Sequence, residues 1–108
     1  MNENNPPINW QQLDDITGND RELGMEFLVF FLENAHTYID ELQAEAISPE
    51  DFSNICHKLK GAAKSVGAEA LADLALSGEK MQDQTKLKQT ALVKELKISI
   101  GYIEKGIK

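Results

Sequence analysis

The chain has 108 residues, a net charge of -7, 42% hydrophobic residues, only 6% aromatics and three prolines. That length fits one domain able to close its own core, and the composition favours helices over a sheet. The negative charge argues against nucleic acid as the principal ligand, and no window approaches the roughly 18 continuous apolar residues of a membrane span.

The opening stretch, Met1 to Pro7, is polar and asparagine-rich, unlike a signal peptide, and residues 1–8 are expected to form a disordered lead-in to a domain over 9–108. Asn9 can cap a short helix that places Trp10, Leu13 and Ile16 on one face, with Gly18 ending it. Asn19 or Asp20 can cap a second helix of roughly 25 residues, close to 40 Å long at the helical rise. Its apolar residues Leu23, Phe27, Phe30, Phe31, Tyr38, Leu42 and Ala46 recur at three- and four-residue steps. Within it, Phe27 to Leu32 is an unbroken apolar run, wider than one core-facing stripe needs. Part of that run is expected to lie under the first helix or to face a partner.

Ser48, Pro49 and Asp51 are a strong helix start: a side-chain cap, a proline at the first position and an acid at the third. Phe52, Ile55, Cys56, Leu59, Ala63 and Val66 then form one apolar face, and Gly67 suits a left-handed terminator. A fourth helix follows with Leu71, Leu74, Ala75, Gly78 and Met81 inward, then a turn from Gln82 to Lys86. The last helix carries Leu92, Leu96, Ile100, Ile103 and Ile107 on one side. Short connections imply antiparallel neighbours. The expected fold is all-α, an up-down antiparallel four-helix bundle with a short additional N-terminal helix, and as one closed bundle it is expected to be a monomer.

His57 lies about 100° around the third helix from the core residue Cys56, so it meets water. Lys60, Gly61 and Lys64 follow three, four and seven residues later and share its face. The plainer reading of such a histidine is an idle surface residue, and of the lysines, solubility. Together they suit an imidazole that receives a phosphoryl group. Cationic neighbours favour the neutral, nucleophilic ring and can meet charge on phosphoryl oxygens. Gly61 costs a helix about 1 kcal/mol relative to alanine, and the missing side chain leaves room for a large group beside His57. Cys56, in the core stripe with no base of its own, reads as a small buried hydrophobe.

Residues 57–68, HKLKGAAKSVGA, resemble the signature of histidine phosphotransfer (HPt) domains. The turn region from Asp14 to Glu22, the long second helix and the Leu71, Leu74, Glu79 pattern are similar to that family too, so that roughly residues 9 to 83 are covered. The resemblance implies that His57 is the phosphoacceptor, Lys60 the phosphate-side lysine and Gly61 the point of access. Glu79 falls where the family places a glutamine or glutamate that orients the imidazole; the plainer reading of Glu79 is a solvated helix residue. The resemblance further implies a cytoplasmic phosphorelay intermediate of two-component signalling. Its partners would be receiver domains of a hybrid histidine kinase and of a response regulator, which bring the Mg2+; this chain itself would bind no cofactor, no metal, no nucleic acid and no membrane. The docking face is expected around His57, with apolar surplus from Leu13, Ile16 or the Phe27 to Leu32 run.

Other chemistries find less support. Glu33 and His36 have the Glu-x-x-His spacing of di-iron bundles, but the position three before His57 is Asn54, so the second pair is missing. Phosphate-loop, zinc-cysteine and nucleophile-elbow motifs are absent. The dimerisation helix of sensor kinases follows its histidine with an acid and then a proline, whereas Lys58 follows His57 and no proline occurs after Pro49. With no ATP site, the chain is expected to be a phosphohistidine carrier without autokinase activity. The rival reading is a non-catalytic helical adaptor that binds signalling proteins.

Overall fold

In the computed structural model, which describes residues 6–44, 47–80 and 85–106, every regular element is a helix. They are α1 (Trp10–Thr17), α2 (Arg21–Leu42), α3 (Pro49–Ser65), α4 (Glu69–Lys80) and α5 (Thr85–Gly106). Helix α2 packs on α3, α3 on α4, α4 on α5, and α5 returns to α2, while α1 lies on α2.

The helix ends follow local chemistry. Asn9 Oδ1 accepts from Gln12 N at 3.1 Å, Asp20 Oδ1 from Leu23 N at 3.1 Å and Ser48 Oγ from Asp51 N at 3.0 Å, each meeting a first-turn N–H that has no helical partner. Of the two candidate caps for α2, Asp20 does the work. Gly18 ends α1 in the left-handed region at φ 63°. Gly67 follows α3 at φ 74°, and a Cβ there would stand 2.7 Å from the Asn9 carbonyl oxygen. Only glycine fits both the backbone angle and that approach. Its carbonyl accepts from Asn9 N at 2.7 Å, and Asn9 Nδ2 donates to Glu69 at 3.0 Å, which pins the start of α1 to the α3–α4 corner. At the other end of the chain, Trp10 Nε1 donates to the Tyr102 hydroxyl at 2.6 Å and the rings lie 5.9 Å apart, tying α1 to α5.

The core is formed by Leu28, Phe31, Phe52, Leu59, Leu71, Leu92, Leu96 and Ile103, with smaller residues between them. The inward faces expected of α3 and α5 are found, with Ile55 only partly buried. Helix α4 buries Leu71, Ala75 and Gly78, with Leu74 half-buried. Met81, Ile107 and Ala46, each assigned inward from the sequence, lie outside the described residues.

Four expectations are corrected. Helix α2 stops at Leu42 after 22 residues, where Gln43 caps it. Its buried stripe is Gly24, Leu28, Phe31, Ala35, Ile39 and Leu42, rotated from the expected one, and Phe30 is 68% exposed. The rotation arises because Gly24 and Ala35 bring little apolar surface of their own yet admit close neighbours; Leu13 of α1 lies over Gly24. Ile16 is exposed although it was grouped with Leu13, because α1 turns only Leu13 and Thr17, one turn apart, fully inward. Thr85 and Lys86, expected in a turn, already belong to α5. In addition Pro7 and Ile8 are buried, so packed structure reaches into the segment assigned to a lead-in.

The closest helix pair is α3 with α4. A Cβ on Gly78 would meet Cys56 Sγ at 2.6 Å and the Phe52 ring at 3.1 Å, so the two backbones approach through a gap that only glycine leaves. Gly101 in α5 has nothing within 4 Å of its Cβ position. Gly78→Ala should therefore destabilise the fold by about 1–3 kcal/mol through overpacking, while Gly101→Ala should stabilise it by about 0.5–1 kcal/mol by restricting the unfolded chain. Urea unfolding midpoints of the two variants check both signs.

Candidate functional site

Helix α3 presents Ser53, His57, Lys60 and Lys64 along one side, at the three- and four-residue steps that bring helical side chains together. The adjoining side, about 100° around the helix, buries Phe52, Cys56, Leu59 and Ala63. Because Cys56 sits against Gly78, α4 is drawn close enough for the next residue, Glu79, to reach across to the His57 face.

Glu79 is the hub. Its Oε2 lies 2.7 Å from His57 Nδ1, and its Oε1 accepts from Lys60 Nζ at 2.6 Å. Its main-chain carbonyl accepts from Ser53 Oγ at 3.2 Å. The carboxylate is held below the usual glutamate range, first by the hydrogen bond from Lys60 and then by that from His57. An ionised carboxylate accepts and cannot donate, so the neutral ring carries its hydrogen on Nδ1. That choice directs the lone pair of Nε2 away from Glu79. The histidine side chain is 67% exposed.

The five sequence candidates divide. His57, Lys60 and Glu79 are brought into one hydrogen-bonded cluster. Gly61 is exposed, with nothing within 4 Å of where its Cβ would stand, so the space beside His57 is open. Lys64 is exposed on the same side and makes no ion pair among the described residues. Lys60 is 20% exposed and its ammonium group is paired with Glu79. Ser53 was not singled out from the sequence; its place one turn before His57, on the same side, was the available signal. The Cys56 thiol is pushed up to about 11 by burial and then by the Glu79 charge, with Lys88 opposing, so at neutral pH it is a protonated core residue. Among the described residues no cluster of three metal-ligating side chains occurs.

Residues 26–105 match the protein-family model of the Hpt domain. This chain belongs to the Hpt domain family. Hpt domains carry out histidine phosphotransfer in phosphorelays and interact with receiver domains. The match begins inside α2 and takes in almost all of α5, the helix that the sequence signature left out. Comparison with curated proteins and with solved structures finds no match. None of the helices of the described residues is long and apolar enough to cross a membrane.

A depressed folded-state pKa for Glu79 means that the native protein binds fewer protons than the unfolded chain in the acid range. The stabilisation is present above the unfolded glutamate value and is lost as pH falls through the depressed one. Carbon-13 NMR of the Glu79 carboxyl should give a midpoint below that of an unperturbed glutamate; a midpoint at or above it would mean that the Lys60 and His57 bonds do not form in solution.

Proposed function

We propose that His57 is the phosphoacceptor of this Hpt domain, taking a phosphoryl group from one receiver-domain aspartate and delivering it to another. The observation that carries this reading is the His57–Glu79 hydrogen bond, which engages Nδ1 while the ring stays largely exposed. In the forward step the Nε2 lone pair attacks the phosphorus of an aspartyl phosphate. A nitrogen–phosphorus bond forms, and the bond from phosphorus to the carboxyl oxygen breaks with its electron pair leaving on the aspartate. The hydrogen stays on Nδ1, so the ring becomes cationic, and the ionised Glu79 faces that developing charge. Return transfer to a second aspartate reverses each of these changes.

In this reading the chain carries no ATP site, and the magnesium and acidic pocket of the reaction belong to the receiver. Lys60 and Lys64 give the His57 side a cationic character suited to such a pocket. Gly61 leaves the approach open. The bundle is read as up-down and antiparallel, with the protein acting as a cytoplasmic monomer. Docking is assigned to the His57 side and the exposed apolar residues of α1 and α2, Ile16, Met25 and Val29; Leu13, Leu28 and Phe31, which are buried, take no part. The partners would be receivers of a hybrid histidine kinase and of a response regulator.

Incubation with a phosphorylated receiver should place acid-labile phosphate on this protein, and His57→Gln should abolish the label. Label that persists in the variant would reject His57 as the acceptor.

A further inference from the structure

Helices α2 and α5 are neighbours and run in opposite directions. At one end Gln89 of α5 bonds the Leu42 carbonyl of α2; at the other, α1 bridges from Leu13 over Gly24 to Trp10 against Tyr102 and Gly106. Their charges are opposite as well: α2 carries five acids and one arginine, α5 five lysines and two glutamates. Glu26, Val29 and Glu33 are exposed along one side of α2, and Lys97 and Lys105 are exposed along one side of α5 with Gly101 between them. None of those four charged groups makes an ion pair among the described residues. Val29 is 43% exposed, and nothing packs within 4 Å of where a Gly101 Cβ would stand.

The two rows match in height. Counted back from Leu42, Glu33, Val29 and Glu26 stand 9, 13 and 16 residues away; counted forward from Gln89, Lys97, Gly101 and Lys105 stand 8, 12 and 16. At the helical rise each residue of one row is level with its counterpart to within about 1.5 Å. A two-fold axis between the helices and along them keeps every height while exchanging α2 for α5. It sets Glu33 against Lys97, Glu26 against Lys105 and Val29 over the Gly101 hollow, each contact occurring twice. We propose that this face pairs two copies of the chain, α2 of each lying on α5 of the other. Gly101, which nothing in its own fold requires, is then the seat for Val29 of the second copy. The pair is a resting form of the monomeric carrier, because it covers Val29, which receiver docking uses; that consequence rests on the docking assignment, and the pairing itself does not.

Sedimentation equilibrium at about 50 mM salt, where surface charges are weakly screened, should show the mass rise from 12.0 kDa toward twice that value. The rise should fall between roughly 10 µM and 1 mM chain, the range of a small polar interface. Lys97→Glu and Glu33→Lys each put like charges at two symmetric contacts and should weaken pairing roughly tenfold or more. Mixing those two variants brings a glutamate to a lysine at both contacts and should restore association. Gly101→Gln should block it by filling the hollow, while Lys58→Glu, on α3, should leave it unchanged. Circular dichroism checks that each variant is folded. Transfer from a phosphorylated receiver, measured per chain, should fall as the wild-type concentration rises and stay level in Gly101→Gln.

A wild type that stays at 12.0 kDa would overturn the pairing and leave the face to a different protein. Mass that grows past two chains would mean an open head-to-tail contact and would overturn the closed pair. Single variants that associate like the wild type, or a mixture that does not recover, would refute the contact of Glu33 with Lys97. Because association is read without phosphate, a chain that accepts none would refute the phosphoacceptor assignment alone. A transfer rate indifferent to pairing would refute the resting form alone.

Discussion

The site depends on one carboxylate placed between a cation and an imidazole. Glu79 reaches both Lys60 and His57 only because α4 lies against α3 at Gly78, where a single methyl group would collide with Cys56 and Phe52. Backbone approach therefore comes first and electrostatics second. Once the helices are that close, the ammonium group bonds the ionised carboxylate and lowers its pKa further, the ionised carboxylate keeps hydrogen on Nδ1, and the second ring nitrogen is left with its lone pair toward solvent. Each link is ordinary chemistry, and the order in which they act is set by packing.

The rest of the molecule serves that contact. The Gly67 turn and the Asn9 hydrogen bonds hold the α3–α4 corner from outside, and Trp10 with Tyr102 draws the N-terminal helix onto the last one. Gln89 donates to the Leu42 carbonyl at 2.7 Å, closing the end of α2 against the start of α5. A carrier of phosphoryl groups needs a rigid base beneath a mobile cargo, because transfer to a partner is a matter of placing two reacting atoms in line. In the proposed reaction this chain contributes the nucleophile, its orientation and an open approach at Gly61. Metal chemistry and the acidic pocket lie with its partner in the proposed reaction.

Much of this was legible in the sequence. The caps at Asn9 and Ser48, the left-handed positions at Gly18 and Gly67 and the inward faces of α3 and α5 follow from residue type and period, which are local properties. The side shared by His57, Lys60, Gly61 and Lys64 is helical geometry and was equally accessible. What the sequence hid is what one helix does to another. The stripe of α2 was drawn through Phe30 because large apolar residues dominate a periodicity count, while Gly24 and Ala35, which admit neighbours, add little to it. The pairing of Lys60 with Glu79 was hidden because the two lie 19 positions apart on different helices. Glu79 was placed by family resemblance, and its bond to Lys60, like the anchoring by Ser53, needed coordinates.

The measurement that bears most directly on this account is the position of the phosphorus on the phosphorylated ring, read by phosphorus-31 and nitrogen-15 NMR. A carboxylate that holds hydrogen on Nδ1 leaves one nucleophile, so the account predicts Nε2-phosphohistidine at residue 57. Phosphorus on Nδ1 would contradict it, since that nitrogen would have to abandon Glu79 in order to react.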